Sequence, residues 1–133
     1  MIARVAWKSG EIYEGRSQSG HALAFDTSAE HAGGMSPMEA VLAALCGCTS
    51  VDVVSILKKK REPLQGLTVT ATAEQAAEPP RVFTKIHLTY KVRGKVAAKA
   101  AEDAVSLSKN KYCSVSKMLE KSADVSYSIE YES

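Results

Sequence analysis

The sequence predicts an α+β fold with the element order βββ-α-ββ-αα-β. Two observations predict it: segments in which apolar and polar residues alternate are grouped at the start, middle and end of the chain, and segments of helical composition lie between them. Because strands and helices are grouped rather than strictly alternating, we expect α+β and not a parallel α/β sheet. The chain has 133 residues and no repeat or linker, which predicts one domain spanning 1–133.

Three predicted strands open the chain, and each is ended by a turn or loop of small and polar residues. They lie at residues 2–8, 11–16 and 21–26. Period-two alternation between turn residues is the usual pattern of such strands. Residues 27–35, rich in Ser, Ala and Gly, are predicted as a loop before the first helix.

The first helix has a clear start and stop. Ser36 is a good N-cap, Pro37 suits the first helical position, and Glu39 completes a capping box. Residues 40–57 are apolar nearly all round, which is typical of a helix buried in a core or an interface. Pro63 stops the helix.

The second half of the chain is predicted to contain two long strands, two helices and a closing strand. In chain order these are strands 67–73 and 82–92, helices 96–110 and 114–121, and strand 125–131. The helix over 96–110 carries Ala and Val residues on one stripe.

Charge gives no sign of a nucleic-acid partner. The 17 basic and 15 acidic residues leave a formal net charge of +2, without the basic patch that such proteins carry. The densest basic run, residues 58–61, ends the first helix, where it complements the negative end of the helix dipole.

The N-terminus and the apolar segments predict a cytoplasmic protein without a membrane partner. Residues 1–8 lack the long apolar region of a signal peptide. We expect no apolar stretch to reach the about 18 residues that span a bilayer. In a reducing compartment, the three cysteines are thiols that are buried, metal-bound or chemically active, rather than structural disulfides.

Cys46 and Cys48 lie in the middle of the first helix, two positions apart. That spacing puts their side chains about 200° apart around the helix axis, so at most one of them faces a given site. Gly47 between them destabilises a helix interior by up to about 1 kcal/mol. We expect close approach of another backbone or of a ligand to account for it.

Cys113 is predicted at the start of the short third helix, beside Lys111 and Lys117. A helix N-terminus and nearby lysines stabilise a thiolate, which gives Cys113 a local reason to be reactive. Ordinary buried thiols are the alternative. A zinc site needs four ligands at suitable spacing, which a C-x-C pair on a helix, one distant cysteine and three scattered histidines do not supply. We predict no metal and no cofactor.

The remaining candidates have weaker patterns. Asp52 follows Cys48 by one helical turn, where it either orients a partner or makes a simple polar contact. Tyr112, beside Cys113, is either a pocket wall or a core aromatic, and Trp7 is predicted in the core. Surface or packing roles are expected for the three histidines, His21, His31 and His87.

Three segments of the chain resemble a known family. Residues 36–39 read SPME, residues 47–57 read GCTSVDVVSIL, and residues 112–116 read YCSVS. Together with the element order, they resemble the OsmC/Ohr family of osmotically inducible and organic hydroperoxide resistance proteins. The resemblance covers essentially the whole chain and is greatest with the branch whose physiological role is poorly defined.

The resemblance implies the OsmC α+β fold and an intimate homodimer with the long central helix at its interface. It also implies a stress-defence peroxidase that reduces small hydrophobic organic hydroperoxides. Cys48 matches the attacking, peroxidatic cysteine, and Cys113 matches the resolving cysteine that forms a disulfide with it. Arg16 is the best match for the arginine that stabilises the thiolate. A dithiol of the dihydrolipoamide or thioredoxin type would reduce the disulfide.

Two positions depart from the peroxidase pattern. Peroxidase members carry a glutamate ten residues before the attacking cysteine, to hold the arginine, and this chain has Met38 there. Glu39 is a weak candidate for that role, because it lies about 180° from Cys48 on a straight helix, and it is better interpreted as a cap. Ser114 follows Cys113, where peroxidase members tend to have proline.

Three hypotheses follow from these observations. The first is a thiol-dependent peroxidase. The second is a non-enzymatic redox sensor or small-ligand-binding protein that uses the same thiols, which the missing glutamate favours. The third is a dimeric scaffold with inert thiols, which ordinary thiol pKa values would favour.

Overall fold

The computed structural model describes all 133 residues, Met1–Ser133, and contains two three-stranded sheets and three α-helices. The elements are β1 Ala3–Ser9, β2 Ile12–Ser17, β3 Ala22–Asp26, α1 Pro37–Lys59, β4 Gly66–Gln75, β5 Phe83–Arg93, α2 Ala98–Leu107, α3 Ser114–Leu119 and β6 Asp124–Glu132. The predicted α+β class and element order are confirmed. A turn of π-helix, Ser108–Tyr112, lies between α2 and α3 and was not predicted.

The chain divides into two compact units, Met1–Leu42 and Ala43–Ser133. In the first unit, β1, β2 and β3 form an antiparallel meander. All seven residues of β1 are exposed, and Trp7 is 68% exposed, with its indole N–H donating to the Gly10 carbonyl at 2.9 Å. The prediction that Trp7 lies in the core is therefore wrong. The assignment of 1–133 to one domain stays a prediction.

Helix α1 starts as the sequence predicts. The Ser36 N–H donates to Glu39 Oε1 at 2.8 Å, and the Glu39 N–H donates to Ser36 Oγ at 3.1 Å, which completes the capping box. Lys58 and Lys59 occupy the last turn, at the negative end of the helix dipole.

Only one stripe of α1 is buried within the chain. The stripe has a spacing of four residues and consists of Leu45, Thr49, Val53 and Leu57. The opposite side is apolar and exposed, and Val51 there is 69% exposed. An ideal Cβ on Gly47 would meet nothing within 4 Å. The close approach that we expected at Gly47 is therefore absent within this chain.

The second sheet has the order β4-β5-β6, with β4 and β5 antiparallel and β5 and β6 parallel. Parallel neighbours need a crossover connection, and here α2, the π-turn and α3 provide it. The buried side chains of β5 alternate along the strand and form much of the core, as Phe83, Ile86, Leu88, Tyr90 and Val92.

By length and composition, α1 could cross a membrane. Its most apolar 18-residue window has a mean hydropathy of 2.0, and 22% of that window is buried within the chain. The expectation that no apolar stretch reaches this length is therefore wrong. Between Glu39 and Lys58, the one charged residue is Asp52, and the uncharged polar residues are few. The mean hydropathy of the window is therefore high enough for a membrane span. Core helices of soluble proteins meet the same criterion.

Candidate functional site

Cys48 and Cys113 are near neighbours in the second unit. Cys48 lies on α1, and Cys113 is the N-cap of α3. The Cys48 side chain is close enough to influence the Cys113 thiol through a hydrogen bond. Neither cysteine is in a disulfide, and Cys113 is fully buried whereas Cys48 is partly exposed. Two free thiols from elements distant in the chain therefore meet at one place.

Cys113 is a protonated thiol at neutral pH, and not a thiolate. Its pKa is raised to about 11, mainly by burial and also by the neighbouring Cys48 thiol and Asp52 carboxylate. The N–H of Ser116 donates to Cys113 Sγ at 3.4 Å and lowers the pKa, but burial outweighs it. The expectation that the start of α3 and nearby lysines stabilise a Cys113 thiolate is therefore wrong, because desolvation is the larger effect. The reactivity of Cys113 stays a prediction.

Cys46 points away from this pair, as the spacing on α1 predicts. It is half-buried and free, and burial raises its pKa while a hydrogen bond from the Ala71 backbone on β4 lowers it. The two thiols of α1 thus lie in different surroundings, and Cys48 is the one that raises the pKa of Cys113.

A chain of hydrogen bonds, which the sequence did not predict, lies beside the thiol pair. Thr49 Oγ1 is 2.7 Å from Tyr90 Oη and 2.7 Å from Ser108 Oγ, and Ser108 Oγ donates to Asp52 Oδ2 at 2.8 Å. The three hydroxyl-bearing residues are buried. One signal was available in the sequence: Thr49 and Asp52 are polar residues one turn apart on an apolar helix. Of the two readings of Asp52, the polar contact is the one observed.

Arg16 lies at the end of β2, in the first unit. Its Nε forms an ion pair with Glu14 Oε1 at 2.9 Å, and its side chain is 54% exposed. Its carboxylate partner is thus a neighbour on the same strand. A role for Arg16 at Cys48 stays a prediction.

Glu39 is engaged as the cap of α1. The Ser36 backbone N–H lowers the pKa of the Glu39 carboxyl by stabilising its charged form. The interpretation of Glu39 as a capping residue is confirmed, and a catalytic role for it stays an untested prediction.

Tyr112 is half exposed, so the prediction of a core aromatic is wrong and that of a pocket wall is right. It lines a groove of about 480 Å³ together with Asp52, and the remaining walls are Val51, Ser55, Ile56, Lys59, Lys60 and Leu107. The groove is mainly apolar, with lysines at one end.

The histidines make local contacts, and no group of three or more His, Cys, Asp or Glu residues could hold a metal ion. His31 Nδ1 lies 2.6 Å from the Asp26 carbonyl oxygen in the loop before α1. His87 lies between the hydroxyls of Ser126 and Ser128, at 2.8 and 2.9 Å.

A comparison with protein families decides the identity of the chain. Residues 30–128 match the family described as OsmC-like protein, which is well over half of the sequence. The chain belongs to the OsmC-like protein family. The match includes both Cys48 and Cys113, and it confirms the resemblance that the sequence motifs indicated.

Individual relatives agree with this assignment. The protein YhfA of Escherichia coli (strain K12) is 46% identical over 132 residues, which cover 98% of this chain and 97% of the relative. A hypothetical protein from Aquifex aeolicus is 29% identical, with a TM-score of 0.85 over 99% of this chain and 97% of that one. The organic hydroperoxide resistance protein OhrB of Bacillus subtilis shares the OsmC-like fold, with a TM-score of 0.72, 16% identity and 98% coverage of both chains.

Proposed function

We propose that this OsmC-like protein is a thiol-dependent peroxidase that reduces organic hydroperoxides through Cys48 and Cys113. The observation that carries the proposal is the meeting of these two free thiols, one partly exposed and one buried. A reachable cysteine that is oxidised first and a sheltered cysteine that resolves it are the two parts that such a reaction needs. The name of the Bacillus relative, an organic hydroperoxide resistance protein, supports the substrate class.

The reaction balances with these two thiols and one dithiol. The Cys48 thiolate attacks the outer oxygen of the hydroperoxide, the O–O bond breaks, and the alkoxide takes a proton to leave as an alcohol. Cys48 is then a sulfenic acid. The Cys113 sulfur displaces its hydroxyl group, so that a disulfide and one water form. A dithiol of the dihydrolipoamide or thioredoxin type reduces the disulfide by exchange and is itself oxidised.

The groove beside Asp52 is the place where we expect the apolar body of the hydroperoxide to lie. Its apolar walls are three aliphatic side chains and the Tyr112 ring, and the aliphatic ones are Val51, Ile56 and Leu107. Asp52 joins the groove to the α1 turn that carries Cys48. Apolar walls favour a hydrophobic peroxide over hydrogen peroxide, since apolar surface is removed from water on binding.

We also propose that Arg16 stabilises the Cys48 thiolate. Cysteine reacts as the thiolate, and a cation near the sulfur favours that form. In this proposal Glu14, the observed ion-pair partner of Arg16, takes the orienting role that a glutamate has in the peroxidases. In this proposal Glu39 caps the N-terminus of α1, and a direct role of Glu39 in the chemistry is the weaker alternative.

A cytoplasmic homodimer is the proposed form of the protein. The exposed face of α1 is apolar and carries small residues, Ala43, Ala44 and Gly47, which would let a second backbone approach closely. A second copy of the chain would remove this face from water, as the family resemblance implies. The three free thiols suit a reducing compartment.

A non-enzymatic redox sensor or ligand-binding protein is the second candidate function. Two observations favour it: Met38 stands where peroxidases carry the glutamate, and Cys113 keeps its proton at neutral pH because burial raises its pKa to about 11. Both would slow turnover. A sensor would form the disulfide once, without repeated cycles on a dithiol.

The experiment that tests the proposal follows free thiols after one equivalent of cumene hydroperoxide, and separately after hydrogen peroxide. We expect rapid loss of two thiols, a preference for the organic peroxide, and a Cys48–Cys113 disulfide by mass spectrometry. Repeated cycles with a dithiol would establish a peroxidase, and a single cycle would favour the sensor.

The three cysteines supply matched variants for this experiment. Cys48→Ser should abolish the reaction, and Cys113→Ser should leave a sulfenic acid on Cys48. Cys46→Ser should react like the unmodified protein, because Cys46 lies two positions before Cys48 and so on a different side of α1. If Cys48 stays reduced for hours, the peroxidase proposal is wrong.

A further inference from the structure

Three hydroxyl groups and one carboxylate form a continuous chain beside the thiol pair. It runs from Tyr90 on β5 to Thr49 on α1, then to Ser108 at the start of the π-turn, and ends at Asp52 on α1, with separations of 2.7, 2.7 and 2.8 Å. These distances are those of good O–H···O hydrogen bonds. The chain ties three different elements together at one point of the core.

The direction of every hydrogen bond in this chain is determined by its ends. A carboxylate only accepts, so the Ser108 hydroxyl donates to Asp52. The Ser108 hydroxyl has one proton and donates it to Asp52, so Ser108 accepts a hydrogen bond from Thr49. Thr49 accepts in turn from the Tyr90 hydroxyl. Burial raises the pKa of Tyr90 to about 12, which keeps its proton available for donation. Removal of any one member leaves a buried hydroxyl without its partner.

The main chain of Ser108 also makes a hydrogen bond that bears on Cys113. Its carbonyl oxygen accepts the Cys113 N–H at 2.8 Å, a bond across five residues that closes the π-turn. Such wide turns are rare, occur mostly as single turns within α-helices, and are frequent at functional sites. The side chain of Ser108 therefore anchors the turn whose last bond places the Cys113 backbone.

Helix α1 supplies both sides of the arrangement. Cys48 is the residue before Thr49 and one helical turn before Asp52. Thr49 and Asp52, whose side chains bind Ser108, therefore have fixed positions on α1 relative to Cys48. Cys48 carries the sulfur with which Cys113 must react. If the hydroxyl chain were broken, the π-turn could shift relative to α1, and the two sulfur atoms would lose their alignment.

We propose that Thr49, Ser108, Asp52 and Tyr90 are positioning residues that hold the π-turn so that the Cys113 sulfur meets the oxidised Cys48 sulfur. This inference rests on the proposed redox function of the pair. These residues act on the second step only: the Cys113 S–H bond and the Cys48 S–O bond break, the S–S bond forms, and the displaced hydroxide takes the proton and leaves as water. The oxidant is the organic hydroperoxide of the first step.

The Thr49 position offers a matched pair of variants. Thr49→Val keeps the shape of the side chain and removes the hydroxyl, whereas Thr49→Ser keeps the hydroxyl. We expect Thr49→Val and Ser108→Ala to form the Cys48–Cys113 disulfide about tenfold more slowly, the effect of losing one buried hydrogen bond. The Cys48 sulfenic acid should form at an unchanged rate and accumulate. Thr49→Ser should resemble the unmodified protein.

Two further measurements separate positioning from general loss of structure. Hydrogen exchange at the Cys113 amide should speed up in Thr49→Val, while amides in the β4–β5 ladder stay protected. Ser106→Ala is the control, because it removes an exposed hydrogen bond from Asn110 of the π-turn and leaves the buried hydroxyl chain intact. It should leave both rates unchanged.

The inference fails if Thr49→Val and Ser108→Ala close the disulfide as fast as the unmodified protein, or if Thr49→Ser is slowed as much as Thr49→Val. Failure of the proposed function looks different, since the unmodified protein would then not react with cumene hydroperoxide. In that case the oxidant diamide replaces the peroxide. The same order of disulfide-forming rates among the variants is then expected, and equal rates would overturn the inference.

Discussion

Strands β1 and β5 have similar alternating sequences and very different surroundings. On β5, every second side chain is buried over most of the strand. On β1, all seven residues are exposed, although Val5 and Trp7 are large and apolar. Within its own unit, the first sheet thus leaves an apolar surface open to water, and the second sheet does not.

The difference teaches what alternation can and cannot predict. It predicts that one face of a strand is apolar, because side chains point to opposite faces in turn. It does not predict whether the chain itself covers that face. Helix α1 shows the same division, with one stripe buried and the opposite apolar side open. A large exposed apolar face is a common mark of a surface that another molecule covers.

The largest expected effect is a loss of stability that differs between the two sheets. Leu88→Ala on β5, where the side chain is 1% exposed, should lower the free energy of unfolding by about 2–5 kcal/mol through lost burial and a new cavity. The matched change Leu23→Ala on β3, where the side chain is 41% exposed, should cost less than about 1 kcal/mol. Urea unfolding measures both. A larger loss at Leu23 that depends on protein concentration would show that a second chain covers the first sheet.

The next effect concerns the open side of α1. Gly47→Glu should leave the chain folded, because a Cβ there meets no atom of the same chain. It should convert the proposed homodimer to a monomer, since it places a charge in an apolar contact. Light scattering after gel filtration gives the mass, and circular dichroism confirms the fold. Gly47→Ala is the control and tests how closely the helices approach. A dimer that survives Gly47→Glu places the interface elsewhere.

A smaller effect is expected at the thiol pair. The pKa of Cys113 is raised to about 11 by burial, by the neighbouring Cys48 and by the negative charge of Asp52. Asp52→Asn removes the charge and keeps an oxygen that accepts from Ser108, so the pKa of Cys113 should fall. The thiolate of Cys113 should then appear at lower pH, which the NMR shift of its Cβ reports during a pH titration. Asp103→Asn, an exposed carboxylate on α2, should leave the Cys113 titration unchanged.

The smallest effect concerns the start of α1. Ser36→Ala removes the acceptor for the Glu39 N–H and should cost about 1 kcal/mol of stability, as N-cap serines usually do. The rate of the proposed peroxidase reaction should not change. Glu39→Gln keeps an oxygen that can accept from Ser36, so it should leave the rate unchanged as well. A large loss of rate in Glu39→Gln with unchanged stability would instead assign Glu39 to the chemistry.

Much of the fold could be predicted from local patterns. The strands are found within about two residues of their predicted bounds, and the capping box at Ser36 and Glu39 is as expected. The π-turn at 108–112 could not be predicted, because it depends on the side chain of Ser108 binding to residues that are distant in the chain.

The candidate site was predicted less completely. The pairing of Cys48 with Cys113 came from the family resemblance, since no local pattern joins cysteines on separate elements. The pKa of Cys113 was predicted in the wrong direction, because the position at a helix N-terminus is visible in the sequence and burial is not. For the same reason Trp7 was predicted in the core, whereas it lies in a strand whose residues are all exposed.

The positions of the two thiols along the chain have a consequence for the oxidised protein. Between Cys48 and Cys113 the chain passes through β4, β5 and α2, so a disulfide would close a loop around most of the second sheet. A closed loop of that length has far fewer unfolded conformations than an open one. A disulfide between these two cysteines would therefore make the protein harder to unfold and to digest.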